Sequence, residues 1–139
     1  MMTKPTLDKT YRKLFLIAKN TLDKAYSPYS HIKVASAVLM SNGRVYSGCN
    51  IENASYGATI CAERVAIFKA ISEGAKKIKA ILVLTNRNEI WPPCGICRQV
   101  MAEFASPITV VYATNLNKEF LKYRFSELLP GAFDKTFLV

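Results

Sequence analysis

Residues 80–85, Ala-Ile-Leu-Val-Leu-Thr, and residues 108–113, Ile-Thr-Val-Val-Tyr-Ala, are two short and mainly apolar runs. Runs of this length are typical of strands that are buried on both faces of a sheet. Between them, residues 94–104 have a helical pattern, and Pro92-Pro93 interrupts the chain just before it. Helices that alternate with buried strands predict an α/β architecture.

The elements on the N-terminal side extend this pattern. Residues 6–25 carry apolar side chains at steps of three and four, which predicts an amphipathic helix with Thr6 as its N-cap. Two strands follow at residues 34–40 and 44–50. The Asn42-Gly43 pair between them favours a hairpin, because both residue types tolerate positive φ.

The remaining elements give the sheet its predicted form. Residues 61–73 read as a helix that Gly74 ends, and residues 120–124 as the last strand. Only a turn at residues 115–118 joins the last two strands, which is too short for a parallel crossover, so they should be antiparallel. The order α-β-β-α-β-α-β-β predicts a three-layer α/β/α sandwich around a mixed five-stranded sheet, in one domain over residues 1–139.

Composition and charge narrow the classes of protein. No apolar run approaches the roughly 20 residues of a membrane span, and residues 1–5 do not resemble a secretory signal, which predicts a cytoplasmic protein without a membrane partner. The net charge is +9, with eight basic and two acidic side chains in residues 1–44. Either a nucleic-acid surface or a solvated helix face explains this excess. No run of Lys or Arg with interleaved aromatics is present, so we expect a solvated helix and no nucleic-acid partner.

Four cysteines carry the strongest chemical signal: Cys49, Cys61, Cys94 and Cys97. A cytoplasmic chain with an ample core does not need disulfides, which favours metal binding or catalysis. Cys94 and Cys97 are three residues apart at the start of a helix, so both sulfurs face the same way and the helix N-terminus favours thiolates. Alone, the pair fits a redox dithiol or half of a structural zinc site.

A third cysteine two residues before a carboxylate favours a catalytic metal. Cys61 also begins a helix, and Glu63 follows it closely. Three protein ligands and an open fourth position are typical of catalytic zinc, and water in that position has a pKa lowered toward neutrality. Glu63 is then near enough to accept a proton from this water and pass it on.

Charge balance adds a residue to the predicted site. Zinc with three thiolates carries a net charge of −1, so positive groups must offset a hydroxide. Two helix N-termini do part of this, and Arg64 is either a hydrogen-bond donor to the thiolates or a member of a surface salt bridge. Cys49 and His31 are the other possible ligands, but a lone Cys is usually a small buried hydrophobe and a lone His is rarely a ligand.

Four motifs in order complete a resemblance to a known family. They are residues 48–54 (Gly-Cys-Asn-Ile-Glu-Asn-Ala), 61–64 (Cys-Ala-Glu-Arg), 94–100 (Cys-Gly-Ile-Cys-Arg-Gln-Val) and 127–133 (Glu-Leu-Leu-Pro-Gly-Ala-Phe). Over about residues 10–133 the chain resembles the small homotetrameric zinc-dependent cytidine deaminases. The resemblance implies one Zn²⁺ per chain and hydrolysis of cytidine and deoxycytidine to uridine and deoxyuridine plus ammonia, in pyrimidine salvage.

The resemblance also implies roles for individual residues. Asn50 and Glu52 would hold the ribose 3′-hydroxyl, and Ala54 would contact the base through its backbone. Tyr56 and Phe133 would reach or line the pocket of a neighbouring subunit, so that sites are shared in a homotetramer. Glu63 would protonate N3, help water to attack C4 and protonate the departing ammonia.

The choice of substrate rests on fewer features. An unpaired Glu52 carboxylate near the sugar would repel a phosphate, which favours a nucleoside over a nucleotide. Ile32, where the family commonly has Phe, and the spacer at residues 57–59 depart from the usual pattern and bear on substrate range. Two alternatives stay open: a deaminase of a cytosine-containing antibiotic such as blasticidin S, and a zinc-stabilised RNA-binding module without turnover.

Overall fold

The computed structural model describes residues 8–138, and all statements about the structure refer to them. Its main elements are α1 (Lys9–Leu22), β1 (Val34–Met40), β2 (Val45–Cys49), α2 (Ala62–Ser72), β3 (Ile78–Thr85), α3 (Gly95–Phe104), β4 (Ala105–Asn115), β5 (Phe120–Arg124) and α4 (Phe125–Leu128). Short 3₁₀ turns at Tyr56–Ala58 and Lys135–Phe137 were not predicted from the sequence.

The five strands form one mixed sheet in the order β2-β1-β3-β4-β5. β3 and β4 are parallel, and α3 is the crossover between them. The pairs β1–β2, β1–β3 and β4–β5 are antiparallel. The predicted five-stranded sheet and its antiparallel last pair are therefore confirmed.

Helices cover both faces of the sheet. The buried side of α1, from Tyr11 to Leu22, packs on one face against residues such as Leu82 and Phe120. On the other face, α2 and α3 share a core with Val38, Met40 and the other inward side chains of that face. This arrangement confirms the three-layer α/β/α sandwich. Within residues 8–138, no helix is long and apolar enough to cross a bilayer.

Two predicted details differ in the structure. Asp8 caps α1 by accepting a hydrogen bond from Tyr11 N at 2.9 Å, whereas the predicted cap, Thr6, lies outside the described residues. In the hairpin turn only Gly43 has positive φ, at +86°. Asn42 contributes instead through its side chain, which accepts a hydrogen bond from Arg44 N at 2.9 Å. The hairpin prediction holds, but positive φ applies to the glycine alone.

Gly48 lets β2 lie unusually close to the first turns of α2. A methyl group added at this position would meet three atoms of the helix: Ala66 N at 2.6 Å, Ala62 O at 2.8 Å and Val65 Cβ at 2.8 Å. Two of these atoms are backbone, so they have no rotamer by which to move away. The absence of a side chain at Gly48 therefore determines how closely the start of α2 approaches the sheet.

We expect Gly48→Ala to lower the free energy of unfolding by about 1–3 kcal/mol, because the new methyl group must push β2 and α2 apart. Urea unfolding at constant zinc would measure the shift in midpoint, with the slope unchanged. Gly57→Ala is the matched control, since no atom lies within 4 Å of its added carbon, and it should change stability by less than about 1 kcal/mol. Equal midpoints for Gly48→Ala and wild type would contradict this account of the packing.

Candidate active site

The starts of two helices lie side by side and each presents a cysteine. Cys61 is the N-cap residue of α2, and Cys94 is the N-cap residue of α3. Neither side chain caps its own helix, so both sulfurs are available to other partners. Cys97, one turn into α3, is fully buried in the core shared with α2. The helix N–H groups near these sulfurs favour their negative form.

The three sulfurs have the spacing that a single zinc ion requires. Cys94 Sγ lies 3.6 Å from Cys61 Sγ and 3.5 Å from Cys97 Sγ, and all three lie within 4.8 Å of one another. Tetrahedral Zn–S bonds of about 2.3 Å place sulfurs about 3.8 Å apart. In the described part of the chain, no fourth His, Cys, Asp or Glu joins this group. The donor set thus fits zinc with one position open.

Arg64 supplies a positive charge next to the sulfurs. Its Nη2 lies 3.6 Å from Cys61 Sγ, which places the guanidinium beside the cluster rather than in a surface salt bridge. Its Nε is buried and has no acceptor among residues 8–138, so the side chain keeps donor capacity for a further thiolate. Of the two sequence alternatives for Arg64, the geometry favours contact with the sulfurs.

The thiols differ in how readily they ionise. The hydrogen bond from Cys97, together with the contact from Arg64, lowers the pKa of Cys61 to about 5 despite burial. The pKa of Cys97 is raised, because it donates to Cys61 and is itself buried. Binding of a metal by these cysteines requires their thiolate forms and would release the protons of those that are still thiols.

Glu63 occupies the first turn of α2 and is only 4% exposed. Burial, with a smaller contribution from the charge of Cys61, raises the pKa of its carboxyl to about 7. The charge of a bound zinc ion would act in the opposite direction. A buried carboxyl beside the sulfurs, with a pKa near neutrality, is suited to accept and donate protons.

A small ladder of backbone hydrogen bonds joins the segment at Asn50–Glu52 to the cysteine cluster. Ile51 and Ile60 exchange two backbone hydrogen bonds of 3.0 and 3.1 Å, and Ile60 directly precedes Cys61. On the other side, Tyr26 N donates to Asn50 O and Glu52 N donates to Tyr26 O. The segment Asn50–Glu52, which belongs to one sequence motif, is thus held next to Cys61, which begins another.

Asn50 and Glu52 use their side chains differently. The buried Asn50 amide accepts from Val34 N and donates to Ile32 O, both at 2.9 Å, so it ties down the loop before β1. The Glu52 carboxylate accepts hydrogen bonds from the N–H groups of Tyr29 and Ser30 at 3.0 and 3.1 Å, and from Ser30 Oγ. The expectation of an unpaired Glu52 is therefore wrong as regards hydrogen bonding.

Glu52 nevertheless keeps its negative charge. The hydrogen bond from Ser30 Oγ, and then those from the two backbone N–H groups, lower the pKa of its carboxyl. The ion pairs among residues 8–138 are Arg87–Glu89 and Lys122–Asp8, and neither includes Glu52. The negative charge that would repel a phosphate is thus present, although the sequence did not predict the hydrogen-bond donors of Glu52.

A cavity of about 400 Å³ lies over this carboxylate, lined by Tyr29, Ser30, Glu52, Tyr56 and Thr59. Tyr29 and Ser30 were not among the predicted site residues, and Thr59 was noted only as part of the spacer at residues 57–59. Tyr29 and Ser30 read only as a loop, because their contacts with Glu52 join segments more than 20 residues apart.

The other predicted residues lie on the surface or outside the cluster. Tyr56 is 77% exposed and meets Tyr29 edge-on, and Ala54 lies in the exposed loop before it. Phe133 is 58% exposed and does not line the cavity of its own chain. Cys49 and His31 do not belong to the group of sulfurs.

The comparisons with known proteins agree with this geometry. A sequence profile described as the cytidine and deoxycytidylate deaminase zinc-binding region matches residues 8–114. A cytidine deaminase from Halalkalibacterium halodurans is 54% identical over 109 residues, which cover 78% of this chain and 83% of that protein. A cytidine deaminase from Sporosarcina psychrophila is 46% identical over 123 residues, covering 88% and 90%.

The fold gives the same result. The crystal structure of a cytidine deaminase from Burkholderia pseudomallei matches with a TM-score of 0.83 at 42% identity, covering 88% of this chain and 98% of that one. The profile spans more than half of the chain, and several relatives exceed 30% identity over most of its length. This chain belongs to the family of the cytidine and deoxycytidylate deaminase zinc-binding region.

Proposed function

We propose that this chain is a zinc-dependent enzyme that hydrolyses cytidine and deoxycytidine to uridine and deoxyuridine plus ammonia. One observation carries the proposal: three cysteine sulfurs lie at zinc spacing, and a buried carboxyl, Glu63, lies on the first turn of the helix that Cys61 begins. Relatives named cytidine deaminase, at up to 54% identity, support the choice of substrate. Conversion of free nucleosides in this way would serve pyrimidine salvage.

Cys61, Cys94 and Cys97 would hold one zinc ion per chain, since their spacing and thiol chemistry fit it. When bound, zinc supplies a Lewis acid that lowers the pKa of water toward neutrality. Arg64 would offset the negative charge of the thiolates from its place beside Cys61. Of the three cysteines, Cys97 is buried, Cys61 is partly buried and Cys94 is exposed.

Glu63 would move the protons of the reaction. Hydrolysis at C4 requires a base for the attacking water, an acid for N3 of the ring and an acid for the departing ammonia. One carboxyl would take a proton from the attacking water and give it to N3, and would then take the proton of the new C4 hydroxyl and give it to the departing ammonia. Each uptake is followed by a release, so the carboxyl ends in the state in which it began. Its burial, and its position two residues after Cys61 on the first turn of α2, support this role.

The sugar would bind along the segment from Asn50 to Ala54. Glu52 lines the cavity and keeps a negative charge, which accepts a ribose hydroxyl and repels a phosphate. Ala54 would contact the base through its backbone, and Asn50 would help to hold the 3′-hydroxyl while anchoring the loop before β1. This arrangement favours a free nucleoside over a nucleotide or a nucleic acid.

The assembly would be a homotetramer in which subunits share their sites. Two large aromatic side chains, Tyr56 and Phe133, are mostly exposed in a single chain. Phe133 lies in one of the four family motifs, and Tyr56 follows another by two residues. Burial against a neighbouring subunit would explain why these residues are aromatic. The four free thiols suit the reducing cytoplasm, which is the proposed location. The proposed single domain spans residues 1–139.

The first prediction from this proposed function concerns Glu63 as the proton carrier. Glu63→Gln keeps the shape of the side chain and removes its acid-base capacity, so kcat for cytidine should fall by at least about 100-fold. Loss of the ultraviolet band of cytidine measures the rate, and metal analysis should still find one zinc per chain. Turnover by the zinc-loaded variant at the wild-type rate would contradict the role of Glu63.

The same assay separates the alternative functions. Wild type should consume cytidine and deoxycytidine faster than blasticidin S, as followed by release of ammonia. A salt-dependent shift of RNA by wild type, with no nucleoside consumed, would instead support the RNA-binding alternative. The net charge of +9 is the observation that keeps this second candidate worth testing.

The second prediction concerns the metal ligands. Cys61→Ala, Cys94→Ala and Cys97→Ala should each lose zinc, because two remaining sulfurs do not hold the ion at neutral pH. Cys49→Ala is the matched control, since Cys49 lies outside the sulfur group, and it should retain one zinc per chain. Metal analysis after gel filtration measures both. Loss of zinc from the Cys49 variant would show that the ligand set is wrong.

The third prediction tests sharing of sites between subunits. Phe133→Ala should raise the KM for cytidine, while Glu63→Gln should abolish turnover. If Phe133 serves the neighbouring pocket, unfolding and refolding the two variants together should create sites with an intact Glu63 and an intact Phe133. The mixture should then turn over more cytidine at low substrate than the two variants refolded apart. Purely additive rates would contradict a shared site.

A further inference from the structure

Arg98 follows Cys97 on α3 and binds only backbone carbonyls. Its Nε donates to Pro93 O at 2.7 Å, and its Nη1 donates to Leu128 O at 2.9 Å. The residue is half-buried, and it takes part in no ion pair among residues 8–138. Within the described part of the chain, the Arg98 guanidinium has no carboxylate partner, and its two hydrogen bonds to backbone carbonyls hold two segments of the main chain in place.

One end of this side chain holds the backbone just before Cys94. The guanidinium binds the carbonyl of Pro93, which directly precedes Cys94. The carbonyl of Cys94 itself accepts the ordinary helical bond from the backbone N–H of Arg98 at 3.0 Å. The Cys94 side chain is exposed and caps nothing. The position of its sulfur therefore depends on the backbone that Arg98 holds.

The other end holds the C-terminal segment. Leu128 is the last residue of α4, and the chain continues from it to Phe133. Gln99, next to Arg98, donates from Nε2 to Phe133 O at 2.8 Å. Two adjacent side chains of α3 thus bind the segment that carries Phe133.

We propose that Arg98 is a positioning residue that couples the loop of the metal ligand Cys94 to the C-terminal segment bearing Phe133. The planar guanidinium presents donors in fixed directions, so its contacts with Pro93 and Leu128 set the distance between the two segments. A lysine has one donor atom and does not bind both carbonyls in this geometry. The inference rests on the proposed zinc site and shared pocket.

The test measures zinc release from the holoenzyme to a chromogenic chelator. Arg98→Gln should release zinc at least about tenfold faster than wild type, as is usual when a group that supports a metal ligand is lost. Arg98→Lys should fall between the two. Gln99→Ala should release zinc at the wild-type rate, because it touches only the C-terminal segment. Arg44→Gln, on the exposed hairpin turn, is the matched arginine control and should also match wild type.

A second measurement follows the C-terminal segment. Hydrogen exchange at residues 129–138 should speed up in Arg98→Gln and in Gln99→Ala, and stay unchanged in Arg44→Gln. Unfolding by circular dichroism shows whether each variant is folded at the assay temperature. If Arg98→Gln does not fold, Arg98→Lys carries the test, since it keeps the positive charge.

The outcomes separate this inference from the proposed function. A folded Arg98 variant with wild-type zinc release would overturn the coupling, whatever its stability. Unchanged exchange at residues 129–138 in both Arg98→Gln and Gln99→Ala would overturn it as well. A wild-type protein that binds no zinc would instead refute the proposed metal site, before any variant is compared.

Discussion

The starts of α2 and α3 must meet on one face of the sheet, and the whole site depends on this meeting. Cys61 belongs to one helix and Cys94 to the other, so no local turn brings their sulfurs to 3.6 Å. The fold does so through two packing contacts. Gly48 lets the start of α2 lie close to β2, and the buried Cys97 side of α3 packs into the core that α2 shares. The metal geometry is therefore a consequence of packing between distant segments.

Bringing the two helix starts together also places several acidic groups close to one another, and the surrounding groups reduce the resulting repulsion. Three thiolates and a buried carboxylate would repel one another strongly in a site of low dielectric. The hydrogen bond from Cys97 and the contact from the Arg64 guanidinium lower the pKa of Cys61, whereas burial raises that of Glu63 to about 7. Negative charge thus gathers on sulfur, while the neighbouring carboxyl stays able to take up and release protons. Cys61 and Glu63, two residues apart at the start of α2, thus differ in acidity because their surroundings differ.

Periodic and local features of the fold could be predicted from the sequence, whereas contacts between loops could not. Strand β1 was predicted with its observed bounds, because a mainly apolar run with a single Ser leads up to the Asn-Gly turn. β4 begins three residues earlier than predicted, because Ala105 pairs with Ile78 of β3 beyond a shift in register. The partners of Glu52 lie 22 and 23 residues from it along the chain, and Leu128 lies 30 residues from Arg98. Such hydrogen bonds leave no periodic pattern to find.

The distribution of charge bears on the size of the substrate. The exposed basic residues of α1, which include Lys9, Arg12, Lys13 and Lys19, lie on the face of the sheet opposite to α2 and α3. The excess positive charge of this helix is therefore separated from the sulfurs by the sheet itself. Near the cavity the prominent charge is the ionised Glu52 carboxylate, which is negative. The basic side of α1 would attract a polyanion, but the Glu52 carboxylate at the cavity would repel it. The charge pattern around the cavity therefore supports a small, uncharged nucleoside as the molecule that reaches the metal.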